Sequence, residues 1–315
     1  MKTILKRIRH FFRILKLMCH EFVQCCSYTG FLGSNESFQK WRLLLLAHSI
    51  EKGLSICDSR PDFGVQKATD LLDIMDKTSS LLNTFEFREA VSVLSKYCEH
   101  RNKNNLDISF CNDRLRKYSS VQFVSAGYSI IPKNELSYDY AHFKELCDKR
   151  HSVREFSEDW VSAESIEEVI QLASTAPSAC NRQMIKVFFS PDETDNIELA
   201  KTVPGNNGTR EEHATYLYVA ADRTAFDWFE SEQWLLNGGI FLSYLSLGFT
   251  AKGIGNCIYQ WPIQWKSESV VRNILNIPNK FSIVAVLAVG NYKQDVKVLA
   301  SCRKNAQEYY IAKGE

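Results

Sequence analysis

The run from Phe281 to Val289 is almost continuously apolar, and it constrains this chain more than any other stretch. A strand with one wet face alternates apolar and polar residues; a run without that alternation reads as a strand buried on both faces. Such a strand needs a layer of secondary structure above and below it. The expectation is an α+β fold with a central mixed sheet covered by helices.

The neighbouring residues supply those layers. Ile185 to Ser190 and Tyr216 to Ala221 are apolar runs of strand length. Ser162 or Ser165 can cap a helix running to about Ser174, because either hydroxyl can accept from a free first-turn amide. A long helix is predicted over roughly Phe226 to Thr250. Gly238-Gly239 inside it marks close packing, since glycine costs about 1 kcal/mol in mid-helix. Ser267 to Leu275 reads as another helix, stopped by Pro278. Pro204 to Thr209, with Asn207-Gly208, is a turn-rich loop.

The first part of the chain has a different pattern. Ile4, Ile8, Phe11, Leu15, Met18 and Phe22 recur at spacings of four and three, which aligns them on one helical stripe. Lys2, Lys6, Arg7, Arg9, Arg13 and Lys16 precede the first acid, Glu21, and all but Arg7 fall on the opposite face. A basic amphipathic helix over 1–23 suits an anionic membrane interface; the same periodicity also suits docking on the rest of the protein or on a partner subunit, which is the slightly favoured reading. After a break at Tyr28 to Ser37, residues 24–135 read as a mostly helical extension, with helices over 38–50, 65–82 and 85–100. His48, Glu51 and Lys52 lie close together there, but as a solvated helix face rather than a site. Ile131-Pro132-Lys133-Asn134 is the candidate boundary, and 141–315 is the α+β domain.

Composition excludes several classes. The hydrophobic share is 45% and the charged share 24%, so disorder is not the dominant state. A net charge of +1 gives no bulk attraction to nucleic acid, and no zinc-finger or RNA-binding pattern is present. Ten cysteines are scattered without a Cys-x-x-Cys pair or metal-ligand spacing. They read as reduced thiols in a cytoplasmic protein, with no metal and no cleavable signal peptide expected. The longest apolar stretch, Ile240 to Ala251, is too short to cross a membrane.

Four segments carry candidate chemistry. In Arg150-His151-Ser152-Val153-Arg154, two guanidinium groups and a hydroxyl can converge on one anion, because the arginine fork donates two parallel charge-assisted bonds. Ala176-Pro177-Ser178-Ala179-Cys180-Asn181-Arg182-Gln183 offers amide side chains, which match the alternating donors and acceptors of a heteroaromatic edge. Gly253-Ile254-Gly255-Asn256 would let backbone amides approach a planar ligand. The last is Leu275-Asn276-Ile277-Pro278, then the buried strand into Gly290, then Ser301-Cys302-Arg303, a late cation.

In this order the segments resemble the nitroreductase family over about 170 residues. The shared features are the Arg-x-Ser-x-Arg opening, the Pro-Ser-x-x-Asn-x-Gln loop, a long helix ending in a Gly-rich turn, and a Leu-x-Ile-Pro helix end before the last strand and a final Arg. The resemblance implies a homodimer with FMN at the subunit interface and NAD(P)H as electron donor. Arg150, Ser152 and Arg303 would hold the phosphate with His151 adjacent, and Arg154 would approach the N1/O2 edge of the ring. Asn181 would pair with the ring's polar edge, Gln183 would support that loop, and Ser178 would come from the other subunit. The backbone at Gly255 and Asn256 would lie beside N5.

The implied activity is ping-pong reduction of a nitro, quinone or related small acceptor. Two alternatives stand beside it: an FMN-dependent oxidase or dehydrogenase of a dedicated biosynthetic intermediate, and a membrane-peripheral protein on this fold without turnover. The chain departs from the family pattern in two places. Met184-Ile185 replaces a common Pro-Trp, which is expected to loosen the loop, and Ser301 stands where a second basic residue is common. Trp228, Phe229, Trp234, Trp261 and Trp265 suit a planar ligand but suit core packing better.

Overall fold

The structure is a computed structural model that describes residues 2–30, 36–56, 60, 62–135, 137–204, 213–261 and 265–312. The predicted loop at 204–209 and the break at 28–37 fall partly outside these residues, as does the side chain of Trp265.

The predicted buried strand is present and runs the full length expected of it. In chain order the C-terminal strands are β1 (Ile185–Phe188), β2 (Thr215–Asp222), β3 (Ile254–Gln260) and β4 (Phe281–Asn291), arranged in space as β1-β2-β4-β3. All three ladders are antiparallel; the parallel component is an isolated bridge from Ser152 to Asn256 at the β3 edge. Both β2 and β4 are buried on two faces. Tyr216, Tyr218, Val286 and Ala288 point to one side, against α8 (Glu193–Ala200) and α10 (Trp265–Leu275). Leu217, Val219, Leu287 and Val289 point to the other, against α7 (Ala163–Ala173) and α9 (Gln233–Ala251). A bulge at Val219/Ala220 shifts the register, so Val219 opposes Ala285 while Ala220 opposes Ile283.

Ser162 caps α7 as expected, its hydroxyl accepting from the Ser165 amide at 3.2 Å. The long helix begins later than predicted, at Gln233. Of its three glycines, Gly238 and Gly248 are forced by packing: an added Cβ would lie 2.5 Å from Val284 Cγ2 at the first and 2.8 Å from Leu172 Cδ2 at the second, whereas nothing lies within 4 Å of Gly239. Among the described residues α9 is the one helix long and apolar enough to span a membrane, and it packs against the sheet as a core helix.

The preceding helices are α1 (Lys2–Tyr28), α2 (Glu36–Leu54), α3 (Val65–Lys77), α4 (Phe85–Lys103), α5 (Ser109–Arg116) and α6 (Tyr140–Lys149). Helices α2 to α5 have their own core, with Ile50, Leu72 and Phe87 fully buried. A disulfide joins Cys98 of α4 to Cys111 of α5, so the expectation of thiols throughout fails at that pair.

One half of a second expectation also fails. Residues 4–19 of α1 are all exposed, so the apolar stripe does not dock on the body of the protein. The end of α1 is attached: Glu21 pairs with Arg223 at 3.3 Å, and the Gly30 amide donates to the Phe226 carbonyl at 3.3 Å.

Candidate active site

The segment after α6 is laid along the sheet edge by backbone bonds. The Val153 amide donates to the Asn256 carbonyl at 2.9 Å, and the Ser157 amide donates to the Asn291 carbonyl at 2.9 Å. Between them Phe156, 2% exposed, lies over Gly255 and Gly290, which face each other across β3 and β4. A Cβ on Gly255 would sit 3.1 Å from both Phe156 and Val153, and one on Gly290 would overlap the Phe156 ring. These two glycines make room for an aromatic clamp, and the clamp fixes where Arg150 and Ser152 project.

Arg150, His151 and Ser152 line a cleft of about 350 Å³ together with Cys147, Asp148 and a stretch of the C-terminal tail, Leu299 to Ser301 and Arg303. Arg150, His151 and Ser152 thus meet Arg303, about 150 residues further along the chain, at one opening, as expected. Asp148 is engaged by Lys144 at 2.5 Å, whereas Arg150 and Arg303 make no ion pair among the described residues. Two guanidinium groups without a counter-charge, beside a half-buried serine, suit a phosphate. Arg154 lies outside the cleft lining, its guanidinium donating to the Ser152 carbonyl at 3.4 Å.

Ser178 and Gln183 line a separate opening of about 150 Å³, with Pro177, Asn237 and Phe241. The loop is tightly folded. Cys180, Asn181 and Gln183 all have φ near +50°, a region that side chains adopt at a cost and that loops near functional sites hold by surrounding bonds. Those bonds are present. The Gln183 amide donates to Ser178 Oγ at 3.1 Å, the Ala179 amide donates to Asn237 Oδ1 at 2.7 Å, and the Gln183 side chain donates to Asn181 Oδ1 at 3.3 Å.

The expected role of Gly255 and Asn256 is not supported. Both lie inside β3 rather than in a ligand-facing turn, which is formed by Gly253 alone at φ +71°. Gly255 faces Phe156, and Asn256 is 1% exposed. Its side chain accepts from Ser246 Oγ at 2.7 Å and donates to Thr250 Oγ1 at 3.2 Å, which ties α9 to the sheet. Short glycine-containing strands are easily read as turns.

Three features of the loop were not read from the sequence. Arg182 is 2% exposed and forms a two-point ion pair with Glu230, at 2.9 and 2.6 Å, while also donating to the Ala179 and Ala225 carbonyls. Burial pushes the Glu230 carboxyl up, but the Arg182 bonds and the Asp227 amide outweigh it and hold the group below its ordinary range. Met184 is buried against Trp41 and Leu44 of α2, and Trp41 Nε1 donates to Thr224 Oγ1 at 3.0 Å. The Met184-Ile185 departure therefore does not loosen the loop; the helical extension packs it. The third is Glu89 of α4, 4% exposed, whose Oε1 accepts from Asn181 Nδ2 at 3.4 Å. Burial, aided by the charges of Glu51 and Glu86, pushes the Glu89 carboxyl up to about 7 against the bond from Asn181.

The aromatic residues divide. Trp261 is buried edge-on against Tyr218, and Trp234 lies under the Arg223 guanidinium. Trp228 and Phe229 are 57% and 67% exposed, so core packing does not account for them. No group of His, Cys, Asp or Glu suited to a metal ion exists among the described residues.

Residues 147–203 match the family model described as the Nitroreductase family. No curated protein matches the chain. Similar solved structures include a nitroreductase family protein from Streptococcus pneumoniae, at 24% identity over 54% of this chain and 99% of that one, with a TM-score of 0.46. An FMN-dependent nitroreductase from Clostridium difficile R20291 shows 20% identity over 52% and 92%, with a TM-score of 0.43. A nitroreductase family protein from Clostridium novyi NT shows 20% identity over 48% and 86%, with a TM-score of 0.43. The matched segment holds both the Arg150–Arg154 opening and the Ser178–Gln183 loop. The chain's similarity to the nitroreductase family thus rests on residues 147–203, within its C-terminal α+β half.

Proposed function

We propose that the protein is an FMN-dependent oxidoreductase that works as a homodimer. The observation that carries this reading is the convergence of Arg150, Ser152 and Arg303 on one cleft in which, among the described residues, neither arginine forms an ion pair and the lining Asp148 is paired with Lys144. A phosphate there would receive charge-assisted bonds from both guanidinium groups and a neutral bond from the serine, with His151 at the exposed rim. Ser301, also in the lining, contributes a hydroxyl where a second cation is common.

The chemistry supplied by bound FMN would be transfer of hydride equivalents from NAD(P)H to a nitro, quinone or related small acceptor. The chain's own residues bind and orient. Arg154 would set a fixed positive charge beside the ring edge, which favours a bound ring carrying negative charge. The Ser178 and Gln183 opening shares no lining residue with the phosphate cleft. A ligand with a phosphate at one end and a heteroaromatic ring at the other would be held by both when Ser178, Asn181 and Gln183 come from a second copy. Arg182, Asn237 and Trp41 would keep that loop in its strained shape so that its amides meet the ring without reorganising.

The test is an anaerobic visible spectrum of the purified, FMN-loaded protein before and after adding NADH or NADPH. Bands that bleach on addition of the donor and return on addition of a quinone or nitroaromatic support the reading. Bands indifferent to both donors would remove the reductase assignment.

A further inference from the structure

We infer that α1 is a membrane-surface anchor whose exposed apolar face enters the interface of an anionic bilayer; this inference is independent of the flavin reading. The helix runs 27 residues, and those from 4 to 19, about 24 Å of it, stand clear of the body. Ile4, Phe11, Met18 and Phe22 are each more than 60% exposed, an arrangement with no stabilising value for an isolated chain in water.

The character of the face selects its occupant. Leu5, Phe12 and Val23 widen the stripe on one side and Ile14 on the other, giving an apolar arc of about half the circumference. A coiled-coil partner needs a narrower seam, whereas an interfacial helix uses a broad one. The flanking charge is one-signed: Lys6, Arg7, Arg9, Arg13 and Lys16 against a single acid, Glu21, which faces Arg223. Two copies of this helix would bring like charges together, while anionic headgroups complement them.

A second exposed group lies at the root of the helix. Trp228 and Phe229 pack edge-on at 5.6 Å, and the Trp228 carbonyl lies 4.0 Å from Cys25 Sγ on α1. Exposed indole and phenyl rings beside such a helix suit the headgroup level of a bilayer. The attachments at Glu21 and Gly30 join α1 to the body as a fixed arm.

The experiment is co-sedimentation of the full chain with vesicles of phosphatidylcholine, alone or with roughly one-third phosphatidylglycerol. The anionic vesicles should retain the protein at least about tenfold better, and Arg9→Glu with Arg13→Glu should lower that partition by roughly tenfold or more. Phe11→Asp with Phe22→Asp should abolish it while leaving the circular dichroism and thermal midpoint unchanged, since both side chains lie outside the cores. Equal retention by both vesicle types, retention by neither, or retention insensitive to the two double variants overturns the proposal. Self-association that depends on Phe11 and Phe22 without vesicle binding also overturns it, and assigns the face to a second copy.

Discussion

Asn181 donates to the buried carboxylate of Glu89, which joins the second predicted binding loop to a helix of the N-terminal extension. Glu89 Oε2 has no hydrogen-bond partner among the described residues, so the carboxyl is better accommodated when that oxygen carries a proton. Below about pH 4.5 Glu89 is protonated whether the chain is folded or unfolded. As the pH rises towards 7, the unfolded chain ionises it freely and the folded chain does not, so stability falls across that window and levels above it. The difference is about 3 kcal/mol at its largest. Glu89→Gln should therefore raise the thermal midpoint at pH 8 and change it little at pH 4.5. An equal shift at both values would mean that Glu89 ionises normally in the fold.

Arg182→Met should destabilise the protein by about 3–5 kcal/mol in urea unfolding, because it leaves Glu230 half-buried without its cation. The double variant Arg182→Met with Glu230→Gln should recover part of that loss. No recovery would show that the guanidinium acts chiefly through the Ala179 and Ala225 carbonyls.

Trp41→Ala removes a buried ring from the contact between α2 and Met184 and should cost about 3–5 kcal/mol. Hydrogen exchange at residues 178–185 should accelerate beyond what the global loss explains. Exchange that changes only in residues 36–54 would show that α2 does not hold the loop.

Gly290→Val would force Phe156 off its seat, with an overpacking cost of about 1–3 kcal/mol. If Phe156 aims Arg150 and Ser152, FMN affinity should fall in parallel, whereas Gly239→Ala, with open space around it, should leave both properties nearly unchanged. Unaltered FMN affinity in Gly290→Val would separate the clamp from the cleft.

Much of the C-terminal architecture was readable from local pattern. The β4 run and the Ser162 cap are local statements, and each is obeyed. The meeting of Arg150 and Ser152 with Arg303 is long-range, and it was legible only through the ordered motifs. What escaped was of two kinds. Residues 254–260 are a strand with a glycine at its second position, and its pairing with β4 is invisible to periodicity. The docking of Trp41 on Met184 and of Glu89 on Asn181 joins helices to a loop more than 90 residues away, and no local signal marks either partner. The stripe on α1 was visible, but a periodic pattern alone does not say whether the face is covered.

The most direct test of the central claim compares FMN with riboflavin, which differs by the phosphate alone. Titrating the apoprotein with each, by fluorescence quenching, should show FMN bound at least about thirtyfold more tightly, with the advantage greatly reduced in Arg303→Ala. Equal affinity for the two flavins, or no binding of either, would contradict the assignment of the Arg150–Ser152–Arg303 cleft as a phosphate site.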